Sequence, residues 1–415
     1  MSRKVSRAPL LRWATVGAAI CAVLGPARPA AAQVSGDVVR IGVLNDQSTI
    51  FAANGGPGSV VAARMAAEEF GNRVLGRPIE IVFADHQNRP DVASSTARRW
   101  IDNEGVDAIA DGASSAAGLA IQQIAREKRR PFLITGSGTT ELTGRQCSPF
   151  GFHFTYDTYA LSNGTARALV ARGQNTWFFV TADYAFGHSL EREAGEFVRQ
   201  AGGRVLGSVR HPANTTDFSS FLVQAQASRA QVIGLATSGD DLTNAVKQAA
   251  EFGVGRRGQR LAGLLIFITN VEALGLEATQ GLTLTTSFYW DLNERTREWQ
   301  ARFGARHGGH PATMIQAGTY SAVRHYLRAV EAAGTDDGER VAEAMRNMPV
   351  EDMYNDRVRI RADGRVLHDM YLAEVKPPGE SRGRNDFYRI LQRIPGAEAY
   401  LPLDRSECPL VQRAR

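Results

Sequence analysis

No apolar run in this 415-residue sequence is long enough to cross a bilayer, which takes about 20 residues. Cysteine is scarce, with three residues in all, and the eight histidines are scattered with no pair at metal-ligand spacing. No metal and no cofactor are therefore expected. An excess of one charge sign is also missing once position is considered. The formal charge is +5, but Arg3, Lys4, Arg7, Arg12 and Arg28 supply five positive charges in a stretch without acids, which leaves 48 − 5 = 43 basic against 43 acidic residues beyond it. A balanced surface offers a phosphate backbone no electrostatic footprint, which excludes a nucleic-acid partner.

A catalytic constellation is missing as well. Gly136-Ser137-Gly138 is no nucleophile elbow, because that turn needs a glycine two residues to either side of its serine. Gly253-Val254-Gly255-Arg256-Arg257-Gly258 spells the dinucleotide fingerprint, yet it follows a helical stretch and precedes a strand, the reverse of the arrangement that sets a pyrophosphate on a helix N-terminus. A flexible turn is the expectation there. His188 near Asp183 reads as a polar loop contact. No enzyme is expected.

The start of the chain is informative. The basic residues precede the apolar run Ala14–Leu24 and the small residues Ala30-Ala31-Ala32, the parts of a secretory signal. Export and cleavage near Ala32 are expected, giving a protein outside the cytoplasm with no membrane insertion. The preceding Ile20 suits Cys21 poorly to lipoprotein processing. Cys147 and Cys408 then remain, an even number in an oxidising compartment. Two buried thiols are one reading. A disulfide is the expectation, because Ser406–Arg415 has little apolar content to hold it down.

The remaining 415 − 32 = 383 residues exceed one core, so two domains are expected. Short apolar runs alternate with helical patterns: strands at Val38–Leu44, Ile79–Ala84, Val106–Ala110 and Pro131–Thr135, with helices at Gly58–Phe70, Asp91–Asn103 and Ser115–Lys128 between them, Asp91 standing where an N-cap belongs. After a pause over Gly144–Ala160 the alternation restarts with strands at Thr176–Thr181, Val205–Val209, Val232–Ala236, Leu264–Ile268 and Leu282–Thr286. This is the signature of an α/β protein with parallel sheets covered on both faces. Long amphipathic helices over Glu294–Phe303 and Ile315–Ala333 follow, then paired strands over Arg357–Val375.

Ligands of open parallel sheets bind at the carboxyl ends of the strands. Two such ends carry small and hydroxylated residues: Asp111-Gly112-Ala113-Ser114-Ser115 and Gly136-Ser137-Gly138-Thr139-Thr140. Plain helix capping by serine and threonine is one reading of them; donors for an anionic group are the other. A third end, Ala182-Asp183-Tyr184-Ala185-Phe186-Gly187, offers an aromatic wall, for a ligand or for packing.

These loops, with the Ile41-Gly42-Val43 start and the Tyr320 helix, resemble the type I periplasmic binding proteins, the branched-chain amino-acid-binding (leucine/isoleucine/valine) family of ABC transporters. The resemblance spans the chain beyond the signal. It implies two Rossmann-like lobes joined by three crossovers: 33–157 plus 287–367 as lobe 1, 158–286 plus 368–400 as lobe 2, and 401–415 as a tail. It also implies a monomer that closes over a small carboxylate and delivers it to a membrane permease. Ser114 and Thr139 match the family's hydroxyl donors to a carboxylate, and Ser137 and Gly138 its backbone contacts. Tyr184 and Phe186 match the second-lobe aromatic, Gln47, Ser48 and Phe51 flank the side-chain pocket, and Thr237 and Phe267 complete the expected set. The chain departs from the family's amino-acid binders in one respect. Where they place an acid for the ligand ammonium, this sequence reads Leu264-Leu265-Ile266-Phe267-Ile268-Thr269-Asn270. That departure points to the subgroup that takes aromatic carboxylates. The alternatives are an amino-acid receptor of the same family and a periplasmic sensor of the same fold.

Overall fold

The computed structural model describes residues 1–2, 34–254 and 258–412. The expected export signal beyond Ser2, with Cys21 and the expected cleavage site, lies outside the described residues, as does the middle of the fingerprint-like turn. Gln33–Arg415 form one compact unit.

The first sheet forms around short apolar runs, the central ones buried on both faces. Its strands are β1 (Val39–Asn45), β2 (Arg73–Val74), β3 (Arg77–Asp85), β4 (Ala108–Asp111), β5 (Phe132–Ile134) and β6 (Gly151–His153), in the order β2-β3-β1-β4-β5-β6. Only the β2–β3 pair is antiparallel. Helices α1 (Gly56–Glu68), α2 (Pro90–Asn103) and α3 (Ser115–Lys128) link them. Gly42 in β1 leaves room for Trp100 of α2, whose ring would lie 2.4 Å from a Cβ there.

The second half continues with α4 (Thr158–Ala171), β7 (Thr176–Ala182), α5 (Ala185–Gln200), β8 (Arg204–His211), α6 (Ser219–Ala227), β9 (Val232–Ala236), α7 (Gly239–Glu251), β10 (Arg260–Gly263), α8 (Ile268–Leu274), α9 (Leu276–Thr279) and β11 (Thr283–Thr286). The parallel sheet β10-β9-β7-β8 is its centre. The chain then returns to the first half: α10 (Glu294–Arg306) packs on α1, and α11 (Met314–Ala333) on α1, β4 and β5, with α12 (Gly338–Asn347) beside it. A Thr313–Gln316 capping box opens α11 and Gly334 closes it in the left-handed region. Finally β12 (Met370–Val375) pairs antiparallel with β11 and with β13 (Tyr388–Ile394), and α13 (Gly396–Ala399) rests on α4. The molecule is thus two α/β lobes joined by three passages of chain.

Three readings of the sequence need correction. Leu264–Ile268 is not a strand: β10 ends at Gly263 and the apolar run is a buried loop leading into α8. The pause over Gly144–Ala160 hides β6 and the start of α4. Asp91 does not cap α2; Arg89 is the N-cap, Pro90 follows, and Asp91 sits in the first turn.

The passages between lobes are pinned by a buried ion pair. Arg365, fully buried, lies 3.1 Å from Asp157, whose carboxylate also accepts from the Ala160 N–H at the start of α4. The same guanidinium donates to the Thr155 carbonyl and stacks over Tyr400, 4.6 Å from the ring centre. In the tail, Cys147 and Cys408 are joined as a disulfide, beside the ion pair Arg145–Glu407.

Candidate functional site

A cavity lies between the lobes. One wall is built at the carboxyl ends of β4 and β5. Ser114 is the N-cap of α3, and its Oγ accepts from the Ala117 N–H at 3.3 Å. Ser115 Oγ accepts from the Thr139 N–H at 3.1 Å. Each serine thus spends acceptor capacity on the backbone and keeps its own O–H proton to donate. Both residues line the cavity, at the positive end of a 14-residue helix.

The floor and far wall are apolar. Gly138 lets two rings approach: a Cβ there would sit 2.8 Å from Tyr156 and 2.9 Å from Phe186. Tyr156 meets Phe267 edge-on with ring centres 5.9 Å apart, and its hydroxyl donates to the Gly136 carbonyl at 3.2 Å. Phe51, Ala113, Leu265, Ile315 and Tyr184 complete the apolar surface, with Asn54 and Ser238 adding polar edges. Burial pushes the Tyr184 phenol well above its ordinary range, and the nearby Asp241 carboxylate adds to this. No charged side chain lines the cavity.

Two carboxyl groups sit behind the walls. Asp111, fully buried, touches Gly136 from below and accepts from Asn45 Nδ2 at 2.8 Å. Burial pushes its pKa up to about 6, against the pull of hydrogen bonds from Ser59, Asn45 and Thr135. Burial likewise lifts Asp241, in the first turn of α7, to about 6.

Of the expected residues, Phe51, Ser114, Gly138, Tyr184, Phe186 and Phe267 line the cavity. Five others do not line it, and four of these are engaged elsewhere. Gln47 and Ser48 turn to Asp85, through the Gln47 N–H at 3.0 Å and the Ser48 hydroxyl at 2.5 Å. Ser137 donates to the carbonyls of Gly112 and Ser114, tying the two strand-end loops together. Thr139 caps the short 3₁₀ turn Thr140–Leu142 and meets Ser189 of α5 at 3.1 Å. Thr237 is fully buried beside Tyr184, with no hydrogen bond of good geometry between the two hydroxyls. Asn54, Ser115, Tyr156, Ser238, Leu265 and Ile315 line the cavity without having been singled out in the sequence. A second serine beside Ser114 was a visible cue; the others come together only through the tertiary fold.

The lobes meet around the cavity through direct contacts. The Thr139–Ser189 pair is joined by Thr140 to Glu193 at 2.6 Å, Thr269 to Asn54 at 3.1 Å, the Asp240 N–H to the Ile50 carbonyl at 3.1 Å, and His310 to Glu272 at 3.0 Å. The cleft is therefore closed. His188 and Asp183 form an exposed contact at 2.8 Å away from the cavity lining.

Among the described residues no cluster of three or more histidine, cysteine or acidic side chains is placed to hold a metal, and no helix is long and apolar enough to cross a membrane.

A family model described as periplasmic binding protein matches residues 38–384. A periplasmic binding protein from Burkholderia mallei is 46% identical with a TM-score of 0.88, over 90% of this chain and 99% of that one. A branched chain amino acid ABC transporter periplasmic ligand-binding protein from Burkholderia xenovorans LB400 is 37% identical with a TM-score of 0.81, over 90% of this chain and 100% of that one. The fold is also shared with a solute binding protein of an ABC transporter from Rhodopseudomonas palustris BisB5, solved with 3,4-dihydroxy benzoic acid. There the identity is 20% and the TM-score 0.79, over 87% of this chain and 98% of that one.

Proposed function

The chain belongs to the periplasmic binding protein family, and from that premise we propose that it captures a small carboxylate with an aromatic body. Its relatives are solute-binding proteins of ABC transporters, not enzymes, and members of the family deliver small molecules to a membrane permease. The observation that carries the ligand reading is the uncharged lining of the cavity. Ser114 and Ser115 offer two hydroxyl donors at a helix N-terminus, while Phe51, Tyr156, Phe186 and Phe267 offer only ring surface. An anion uses such donors fully. An α-ammonium buried in the same space has no carboxylate partner in the lining, and unpaired burial of a charge costs several kcal/mol, on the order given for real proteins.

In the mechanism, the first lobe holds the carboxylate and the second shuts Tyr184, Phe186 and Phe267 over the ring. We assign 33–157 plus 287–367 to lobe 1, 158–286 plus 368–400 to lobe 2, and 401–415 to the tail. We further propose that residues 1–32 direct export and are removed near Ala32, and that the receptor works as a monomer in the periplasm.

A rival reading, an α-amino acid ligand, draws on the branched-chain relative and on Asp241 behind Tyr184. Calorimetric titration separates the two. Tight binding of benzoate, hydroxybenzoate or cinnamate, with none of leucine or phenylalanine, is expected; the opposite pattern refutes the aromatic reading.

A further inference from the structure

Two polar groups in the cavity wall are left unmet by the protein, the Tyr184 hydroxyl and the Asn54 amide nitrogen, and the second has its partner atom already fixed across the cleft. Asn54 is 1% exposed and follows the Phe51 loop. Its main chain is fixed at both ends: its N–H donates to the Phe51 carbonyl at 2.9 Å, and its carbonyl accepts from Thr313 Oγ1 at 2.5 Å. Its side-chain oxygen accepts from Thr269 Oγ1, which belongs to α8 of the opposite lobe, at 3.1 Å. The amide nitrogen Nδ2 is buried and has no partner among protein atoms.

A carboxamide has one acceptor and one two-proton donor. With the oxygen held across the cleft by Thr269, what Asn54 has left to offer is donation. We propose that Asn54 is a specificity-determining residue, which selects a ligand carrying a second hydrogen-bond acceptor on its apolar body, a ring hydroxyl or carbonyl oxygen. Thr269 is its positioning residue. The inference rests on the aromatic-carboxylate reading above and deepens it.

The chemistry of the acceptor follows from the surroundings. The lining holds no charged side chain, so a second ionised group on the ligand has no counter-charge there. A neutral oxygen does satisfy Nδ2. A site that buries an unmet donor discriminates against the analogue lacking the acceptor, because binding that analogue leaves the donor dry and unpaired. The contact also ties recognition to closure. Asn54 lies in the first lobe and Thr269 in the second, so the amide is oriented only once the lobes have met. A ligand without the acceptor still closes the cleft on its carboxylate and ring, but it leaves this bond unmade.

The test is a calorimetric matrix of benzoate, 3-hydroxybenzoate and 4-hydroxybenzoate against the wild type, Asn54→Leu and Thr269→Val, with thermal melts confirming that each variant is folded. In the wild type at least one hydroxylated isomer should bind about tenfold more tightly than benzoate, the scale of one neutral hydrogen bond. Asn54→Leu should abolish that preference, read as the ratio of hydroxybenzoate to benzoate affinity. Thr269→Val should reduce the same ratio in the same direction, alongside a general loss of about fivefold from the missing cross-cleft bond. No preference in the wild type, or a preference that survives Asn54→Leu, overturns the assignment. Equal loss of all three acids in Asn54→Leu also overturns it, since Asn54 would then serve the carboxylate. If the wild type binds none of the three acids but does bind leucine, the aromatic reading itself has failed, and this inference with it.

Discussion

Thr140 of the first lobe donates its hydroxyl proton across the cleft to the Glu193 carboxylate of α5, at 2.6 Å. Glu193 is buried, and burial pushes its pKa from 4.5 up to about 7, against the pull of hydrogen bonds from Thr140 and Thr158; Asp157 adds to the rise and Arg192 opposes it. Opening the cleft parts Thr140 from Glu193 and should return the carboxyl to water. The closed form therefore holds a proton that the open form gives up between those two values. Affinity should fall as pH rises through this window, by about tenfold per pH unit at the steepest. Glu193→Gln should flatten the profile. Calorimetry with benzoate across the window checks this, and parallel profiles for wild type and variant would refute it.

Ser114 and Ser115 make a second prediction. Each hydroxyl lost from a charged ligand should cost about 1.5–3 kcal/mol. Ser114→Ala with Ser115→Ala should thus abolish benzoate binding at ordinary concentrations, while circular dichroism remains native. Thr139→Val is the contrast. Its hydroxyl spends itself on Ser189 and on capping the Thr140–Leu142 turn, so it should weaken binding only by about 1 kcal/mol, through closure. Equal effects from Thr139 and the serine pair would show that the carboxylate is held elsewhere.

The same residues show how far the sequence could be read. Ser114 was legible because a serine before a helix at a strand end has a local meaning; Phe186 and Gly138 were legible for similar reasons. Phe267 was found at the wrong address. A run such as Leu264-Leu265-Ile266-Phe267-Ile268 is equally apolar as a strand or as a buried loop, and periodicity cannot tell the two apart. Helix α4 begins inside what read as a pause because Thr158, Ser162, Asn163, Gly164 and Thr165 are all buried, which erases the polar face that marks a surface helix. Asn54 and Ile315 are 261 residues apart and share the cavity because α11 returns to the first sheet. No local pattern carries that information.

A third prediction concerns the passages between lobes. Arg365→Met strands the buried Asp157, whose carboxyl burial already raises above its ordinary range while Arg365 holds it down. Removing one partner of a buried pair costs about 3–5 kcal/mol. With the guanidinium gone, the folded-state pKa of Asp157 climbs further above the unfolded value. The stability difference from wild type should then widen as pH rises through that region. Adding Asp157→Asn should recover much of the loss, because asparagine also caps a helix. Urea denaturation at two pH values checks both; an additive double variant would refute the pairing.

The last prediction is the disulfide. Strand β13 and helix α13 belong with α4, β11 and β12, whereas Cys408 is bonded to Cys147, which follows the β5 loop of the first lobe. The tail is thus a fourth covalent tie between the lobes, in addition to the three passages of chain. It closes a loop with a sequence separation of 261 residues, for which the chain-entropy account gives about 5 kcal/mol of stabilisation. Beyond the disulfide, the tail meets Cys147 through a small apolar cluster with Leu410 and Val411 and meets Arg145 through the exposed Glu407 pair, and exposed pairs contribute about 0–1 kcal/mol. Cys147→Ser with Cys408→Ser should therefore lower the urea midpoint and expose the last residues to carboxypeptidase, while the fold of both lobes persists. Reduction of the wild type should reproduce the double variant. Two free thiols in the oxidised, denatured wild type would contradict the tie, as would equal protease resistance in both forms.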